Sequence, residues 1–310
     1  MGTSKIDVSI IIPARNEEAN IGPCLDALYK QNTAYKFEVI VIDSGSTDKT
    51  VECVTHFPGV KLITIKAQDF GHGKTRNLGA KQAAGDYLLF LNADALPADE
   101  NWLNPLIRVL QEDKNKEAVG VYSRQLPKEN CHLYMARDML TTMPAQGFTR
   151  GKYQSLDFMI FSTVSCAVRR EIWRENPFSE NIIIAEDQEW ARRILNKGFK
   201  IVYEPASAVY HSHNYKPGQL FAVKKNVGST EHKFKNRCCT AILGLLLVSG
   251  GFGLKMAGDI FFILFKSRSA AELSRCGRSG FFKKLEQIGI AAAARAAGFA
   301  GRYRGWLGAK

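Results

Sequence analysis

A short apolar stretch that ends in polar residues constrains the fold of this 310-residue chain most strongly. It runs from Gly85 to Pro97 with the sequence GDYLLFLNADALP, and turn-forming residues bound its apolar part on both sides. An apolar run of this kind predicts a buried strand of a parallel sheet. Asn92 and Asp94 then lie at the carboxyl end of the strand, where open α/β sheets bind ligands. They project to the same side because they occupy alternate positions.

These two side chains have two interpretations. An amide and a carboxylate on one face provide the oxygen ligands of a hard divalent cation, which can bridge phosphates. Alternatively, Asn92 and Asp94 only start the turn that leads to Pro97. The neighbouring segments decide between the two.

Strands and helices alternate through the first hundred residues. The pattern predicts strands at 8–12, 37–42 and 60–65, each followed by a helix before the next strand begins. Such alternation is typical of a parallel sheet with helices on its faces. We expect Asn16 to cap the first helix, which would run to about Gln31.

A polar cluster follows each of these strands. Asp43 either accepts a hydrogen bond from the ring N–H of a nucleotide base or forms a turn. The loop at 69–77 fits neither the P-loop nor the dinucleotide-binding glycine motif. Lys74 and Arg76 nevertheless fall in the first turn of the predicted helix 74–84, where phosphate is favoured.

The second half of this region contains further polar groups. Glu186 and Asp187 open an amphipathic helix, where acids either serve a site or only favour the helix dipole. In a site, the helix N-terminus would stabilise the ionised form of Asp187. His211 and His213 occupy alternate positions and, as strand neighbours, would share a side that faces a metal.

The basic charge is concentrated in the last third of the chain. The net charge is +12; residues 1–214 have 25 Lys and Arg against 26 Asp and Glu, giving −1, and residues 215–310 have 17 against 4, giving +13. The apolar runs 241–254 and 260–265 are shorter than the roughly 18 residues of a spanning helix. They predict either a segment at the surface of an anionic membrane or packing against the rest of the protein.

Cysteine spacing and the N-terminus indicate a compartment. The seven cysteines form no CxxC pair, which favours a reducing environment over a zinc module or a disulfide scaffold. The apolar run after Lys5 is too short for a signal peptide, so we expect a cytoplasmic protein.

Several motifs in chain order resemble those of glycosyltransferase family 2, whose members have the GT-A fold. They are PARNEE at 13–18, VIDSGSTDKT at 41–50, the strand that ends in Asp94, and AEDQEWA at 185–191. The segments FGHGKTRN at 70–77, SRQLP at 123–127, PFSENIIIAEDQEWA at 177–191 and YHSHNY at 210–215 look like the rhamnosyltransferase-type branch.

The resemblance implies an α/β fold of the GT-A kind, a Rossmann-like and mostly parallel sheet flanked by helices. The catalytic domain would span 1–215, with a nucleotide-sugar half at about 1–97 and an acceptor half at about 98–215. A helical, membrane-associating extension would occupy 216–310.

The resemblance also implies roles for individual residues. Asp187 matches the catalytic base, with Glu186 beside it. Asn92 stands at the first position of the family's D-x-D motif, so a Mg²⁺ or Mn²⁺ ion would depend mainly on Asp94. His211 and His213 would complete the metal site. The residues implied in nucleotide-sugar binding are Pro13, Ala14, Arg15, Glu17, Asp43, Lys74, Arg76, Asn92, Ala93 and Asp94.

The expected function is inverting, metal-dependent transfer of a sugar, with L-rhamnose from dTDP-L-rhamnose as the candidate donor. The acceptor would be a glycan or a lipid-linked hydroxyl at the cytoplasmic face of the cell membrane. A single displacement needs one base and one cation, whereas a hydrolase needs an acid for its leaving group.

Two alternatives belong to other classes. A sequence pI of about 9.3 suggests a nucleic-acid-binding protein, although residues 1–214 are nearly neutral and no recognisable RNA motif is present. An inactive membrane scaffold is the other alternative, and the retained Asp94 and Asp187 argue against it. We therefore expect no nucleic-acid partner.

Overall fold

The computed structural model describes residues 5–152, 161–234, 255–261, 263 and 277–307. The chain forms two compact units. The first comprises Met1–Leu126 and Met143–His211, and the second comprises Pro127–Thr142 and Ser212–Lys310. The domain boundary expected at residue 215 stays a prediction.

The described strands join in one sheet within the first unit. They are β1 Val8–Ala14, β2 Phe37–Asp43, β3 Val60–Thr64, β4 Tyr87–Leu91, β5 Leu96–Pro97, β6 Ala118–Leu126, β7 Phe148–Arg150, β8 Ser165–Arg169 and β9 Lys200–Tyr210. Their order is β3-β2-β1-β4-β8-β6-β9-β5, and β7 pairs with β9.

The helices of the first unit follow the strands. They are α1 Ile21–Tyr29, α2 Thr50–Thr55, α3 His72–Lys81, α4 Leu103–Glu112, α6 Arg170–Glu175 and α7 Glu186–Asn196. Those of the second unit include α5 Leu133–Thr142, α8 Pro217–Phe234, α9 Gly277–Leu307 and a short helix at 255–261.

Strand direction brings six strand ends to one edge of the sheet. β3, β2, β1 and β4 are mutually parallel. β8 is antiparallel to both β4 and β6, and β6 is parallel to β9. The carboxyl ends of β1, β2, β3, β4, β6 and β9 therefore lie at the same edge. This common edge carries the candidate residues of the first unit.

Alternate residues of β1 pack on opposite faces of the sheet, as the two-residue period of a strand requires. Ile10 and Ile12 belong to the core on the side of α1 and α4, whereas Ile11 belongs to the core that includes Trp190 of α7. Ile10, Ile11, Ile12 and Trp190 are fully buried. Two apolar layers hold the sheet between helices.

The prediction that a helix starts at Asn16 is wrong. The helix starts at Ile21, and Asn16 has a positive φ of 55°. Its Oδ1 accepts the backbone N–H of Thr47 at 2.8 Å, and the N–H of Glu17 donates to Thr50 Oγ1 at 2.7 Å. The loop after β2 thus satisfies backbone groups that a helix would otherwise use.

The second unit is held by a buried network of ion pairs. Arg295 of α9 donates to Asp138 of α5 at 2.6 and 2.8 Å and to Asp259 at 2.7 and 2.9 Å. Arg137 donates to Asp259 at 2.8 Å, and Asp259 is fully buried. Two guanidinium groups thereby balance two carboxylates, so the buried charges are paired.

The membrane prediction for 241–265 falls mainly on residues 241–254, 262, 264 and 265, which lie outside the described ranges. Within those ranges, none of the helices combines the length and the apolar character needed to cross a bilayer.

Close backbone contact joins α8 and α9, and it gives a test of the second unit. A Cβ on Gly305 would overlap the carbonyl oxygen of Lys225, whereas a Cβ on Gly289 would meet nothing within 4 Å. We expect Gly305→Ala to lower the free energy of unfolding of the full chain by about 1 to 3 kcal/mol.

Gly289→Ala is the matched control, because it is the same change in the same helix. It should raise stability by up to about 1 kcal/mol through helix propensity alone. Chemical unfolding measures both variants, and a Gly305→Ala protein as stable as Gly289→Ala would contradict the packing.

Candidate active site

The loops that follow β1 and β2 lie side by side at the common edge. Pro13 is partly buried and Ala14 is buried at the end of β1, and Arg15 is exposed beyond it. The backbone N–H of Ser44 donates to the carbonyl of Ala14 at 2.9 Å, which ties the ends of β1 and β2 together. Glu17 is partly buried in the same loop. These residues lie together, and their contact with a nucleotide stays a prediction.

Asp43 is 1% exposed and shapes the turn after β2. Its Oδ2 accepts the backbone N–H groups of Gly45 and Ser46, each at 3.1 Å. The hydroxyl of Ser46 donates to Oδ1. The turn-forming interpretation of Asp43 is therefore observed, and its contact with a base stays a prediction.

Asp94 and His211 approach each other at the ends of β4 and β9. His211 Nε2 lies 3.5 Å from Asp94 Oδ2, and both side chains are largely buried. The backbone N–H of His211 donates to the carbonyl of Leu126, which fixes its place beside β6. The two side chains are close enough for their ligand atoms to share a metal ion.

A hydrogen bond on the other ring nitrogen decides the tautomer of His211. Its Nδ1 lies 3.0 Å from Oε1 of Gln125, whose Nε2 donates to Ser162 at 2.9 Å. An amide oxygen only accepts, so Nδ1 carries a proton, and in the neutral imidazole Nε2 presents its lone pair towards Asp94. A lone pair that faces a carboxylate at this distance suits a cation between them.

Gln125 was not among the predicted site residues, although it lies in the SRQLP segment. The sequence contained no signal that β6 would present this amide to a histidine 86 residues away.

The histidines do not share a strand face, because β9 ends at Tyr210 and both follow it. The prediction that they are strand neighbours is therefore wrong. His213 belongs to the second unit, where its ring stacks on Tyr215 at 5.0 Å. Its role in a metal site stays a prediction.

Arg76 joins three elements beneath the common edge. Its side chain is almost fully buried, and it donates from Nη1 to Glu186 Oε1 at 2.7 Å. From Nη2 it donates to Asn92 Oδ1 at 2.8 Å. The start of α3 is thereby linked to the end of β4 and the start of α7. Ala93 is buried beside Asn92, and Lys74 is exposed.

Glu186 and Asp187 are the first two residues of α7, as predicted. They follow Ala185, which has a left-handed conformation with φ of 69°, an uncommon value for a non-glycine residue. Trp190, Ala191 and Ile194 follow Asp187 by three, four and seven residues, so they lie on its face of the helix, and all three are fully buried. The core therefore fixes α7 and leaves its first turn at the edge of the sheet.

Burial raises the pKa of Asp187 from 3.8 to about 6, and the charge of Glu186 acts in the same direction. Arg76 and two backbone N–H groups, from Thr163 at 3.3 Å and Gln188 at 2.8 Å, oppose this rise. We had expected the helix N-terminus to favour the ionised form, but burial outweighs it. The result is a carboxylate that is ionised at pH 7 and more basic than an exposed aspartate.

His72, the first residue of α3, lies close enough to Asp187 for their charges to interact. Burial and then the charge of Arg76 lower the pKa of His72 to about 4, whereas Asp187 raises it. Its imidazole is therefore neutral at physiological pH. His72 was not predicted as a site residue, although it lies in the FGHGKTRN segment.

The sequence of this chain is similar to those of known glycosyltransferases. The family model described as Glycosyl transferase family 2 matches residues 9–176. The O-antigen chain rhamnosyltransferase RfbN of Salmonella typhimurium is 31% identical over 220 residues, which cover 69% of each chain. Glycosyltransferase AglE of Haloferax volcanii is 29% identical over 237 residues, 71% of each chain.

Solved structures share the fold. A mannosyltransferase from Pyrobaculum calidifontis, PcManGT in complex with GDP-Man and Mn²⁺, has a TM-score of 0.60 at 18% identity, over 96% of this chain and 86% of that one. S. aureus TarS 1–349 in complex with UDP-GlcNAc has a TM-score of 0.52 at 17% identity, over 97% and 91%.

These likenesses define a mixed α/β fold of the GT-A type, which confirms the predicted fold class. The chain belongs to glycosyl transferase family 2, and it is a glycosyltransferase of the rhamnosyltransferase type.

The raised pKa of Asp187 makes stability depend on pH. Between its ordinary pKa of 3.8 and its folded value of about 6, the folded state binds more protons than the unfolded state. Stability therefore falls as pH rises through this range. Asp187→Asn should abolish this fall in stability with rising pH. Its free energy of unfolding at pH 8 should exceed that of the native protein by about 1 to 3 kcal/mol.

Unfolding by denaturant at pH 4 and pH 8 measures this difference. Asp26→Asn, at an exposed position of α1, is the control and should leave the pH dependence unchanged. An Asp187→Asn protein that is no more stable than the native one at pH 8 would contradict the burial of this carboxylate.

Proposed function

We propose that the chain is an inverting, metal-dependent rhamnosyltransferase that uses dTDP-L-rhamnose in cell-surface polysaccharide synthesis. The relative RfbN is an O-antigen chain rhamnosyltransferase, which supports the sugar and the pathway class. The structural neighbours are complexes with GDP-Man and Mn²⁺ and with UDP-GlcNAc, which support a nucleoside diphosphate donor.

The approach of Asp94 to His211 is the observation that carries the metal-dependent part. The residues fit a Mg²⁺ or Mn²⁺ ion, because a carboxylate oxygen and an imidazole lone pair lie 3.5 Å apart at the edge where ligands bind. When bound, such an ion would supply positive charge to the diphosphate that leaves the sugar. Asp94 and His211 would hold it, and the hydrogen bond with Gln125 would keep His211 in the required tautomer.

Asp187 is the proposed general base. Its side chain is at the start of α7, on the edge that carries Asp94, and its pKa of about 6 leaves it ionised at pH 7. A pKa near the working pH gives an efficient base. Asp187 takes the proton of the acceptor hydroxyl while that oxygen attacks the anomeric carbon. This single displacement inverts the configuration.

The proposed acceptor is a lipid-linked glycan at the cytoplasmic face of the membrane. In the second unit, Phe261 is 54% exposed and Leu285 is 46% exposed, and Lys255 is exposed near the first of these. Exposed apolar side chains with basic neighbours favour an anionic membrane surface. Flotation of the full chain with anionic and with neutral vesicles tests this part, and equal recovery from both would contradict it.

Nucleoside diphosphate release tests the function as a whole. With dTDP-L-rhamnose, Mg²⁺ and membranes of the source organism as acceptor, Asp187→Asn should lose about 10² to 10⁴ in kcat while donor binding stays near native. Asp94→Ala should lose both turnover and the metal dependence of donor binding. Asn92→Ala should keep part of both, because a neutral amide holds a cation less strongly than a carboxylate.

Two outcomes would contradict the assignment. Equal donor affinity with and without Mg²⁺ or Mn²⁺ in the native protein would remove the cation from the mechanism. Near-native turnover of Asp187→Asn would remove Asp187 as the base.

A further inference from the structure

The guanidinium of Arg76 contacts an acid and an amide through different nitrogens. Nη1 donates to Oε1 of Glu186 at 2.7 Å, and Nη2 donates to Oδ1 of Asn92 at 2.8 Å. The side chains of Arg76 and Glu186 are each 5% exposed. Little water is therefore available to screen these charges, and each must find its partner within the protein.

The charges in this contact balance as one cation and one anion. Arg76 contributes the positive charge, Glu186 contributes the negative charge, and Asn92 contributes none. Position 92 is the first position of the segment that resembles D-x-D. An aspartate here would place a second carboxylate on the same buried guanidinium.

We propose that Asn92, because its amide is neutral, accepts a hydrogen bond from Arg76 without competing with Glu186 for the positive charge of Arg76. Asn92 and Arg76 are then positioning residues for Asp187. This inference rests on the proposed role of Asp187 as the base. Glu186 precedes Asp187 in the first turn of α7, so the contact that holds Glu186 also holds the backbone of its neighbour. The uncharged side chain at position 92 thus serves the acceptor side of the site.

The groups around Asp187 define what an added carboxylate would change. Glu186, Arg76, His72 and the thiol of Cys166 interact with its charge, and the backbone N–H groups of Thr163 and Gln188 donate to it. Arg76 is the cation of this set. Asn92→Asp would divide its charge between two carboxylates, so less of it would oppose the charges of Glu186 and Asp187.

Thermal unfolding of the full chain between pH 5 and pH 8 tests this coupling without any substrate. Asn92→Asp should lower Tm at pH 8 by about 3 °C or more, with a smaller deficit at pH 5 where carboxylates take up protons. Glu186→Gln should also lower Tm, because it leaves Arg76 without its acid. The double variant should recover most of the loss, since one carboxylate again faces one guanidinium.

Asn92→Ala is the uncharged control and should show the native pH dependence. The inference would be overturned if Tm of Asn92→Asp had the native pH dependence. It would also be overturned if the loss of Tm in the double variant equalled the sum of the losses in the two single variants. If Asn92→Asp does not fold, the double variant decides: its folding supports the coupling, and its failure beside a folded Asn92→Ala protein overturns it.

Turnover of dTDP-L-rhamnose adds a second readout. Asn92→Asp should lower kcat without raising the donor KM, because a carboxylate holds a cation more strongly than an amide, and the acidic limb of the kcat profile should move up by about one pH unit. Addition of Glu186→Gln should move that limb back. Arg76→Lys should retain more turnover than Arg76→Ala, because the lysine ammonium still pairs with Glu186. It lacks the two separate Nη groups with which the guanidinium contacts Glu186 and Asn92 at once.

The two readouts separate the inference from the function on which it rests. If the native protein does not turn over dTDP-L-rhamnose, the proposed function fails while the Tm series still measures the coupling. If the native protein is active and the pH limb does not move in Asn92→Asp, the inference fails and the proposed function stands.

Discussion

The common direction of six strands is the constraint on which the site depends. β1, β2, β3, β4, β6 and β9 all end at one edge, although β8 runs the opposite way between two of them. Because of this arrangement, Asp43 and Asp94 reach the same edge from different parts of the sequence, and His211 follows β9 to it. Antiparallel pairing throughout would have divided these residues between opposite edges.

At that edge, burial and neighbouring charges shift the pKa values of two titratable side chains in opposite directions. Asp187 has a raised pKa of about 6 and His72 a lowered pKa of about 4, so one is a carboxylate and the other a neutral ring at pH 7. The charge of Arg76 lowers the pKa of both groups. Groups whose environments move their pKa values in this way are typical of catalytic sites. The chemical reactivity of Asp187 thus depends on contacts made by side chains more than 100 residues away in sequence.

The sequence predicted the parts of this structure that local patterns determine. Apolar runs located β1, β2, β3 and β4, polar residues after two of these strands were Asp43 and Asp94, and adjacent acids located the start of α7 at Glu186. The helix expected at Asn16 failed because residues after β2 engage this segment: Asn16 Oδ1 accepts the N–H of Thr47, and Thr50 Oγ1 accepts the N–H of Glu17. A local pattern contains no information about such a partner 31 residues away.

Other features depended on tertiary contacts alone. The pair of Arg76 with Glu186 and the pair of Gln125 with His211 each join segments distant in sequence. Arg76 was expected to face phosphate because it lies near a helix start, which is a local signal. Its buried pairing became evident only when α3 and α7 were placed on the sheet.

A crystal structure with dTDP and Mn²⁺, with the anomalous signal of manganese recorded, tests the central claim most directly. The account predicts one manganese peak about 2.1 Å from a carboxylate oxygen of Asp94 and from Nε2 of His211, in contact with the diphosphate. Nδ1 of His211 should remain hydrogen-bonded to Gln125. A diphosphate bound at the common edge with no manganese peak there, or with the metal held by other residues, would contradict the account.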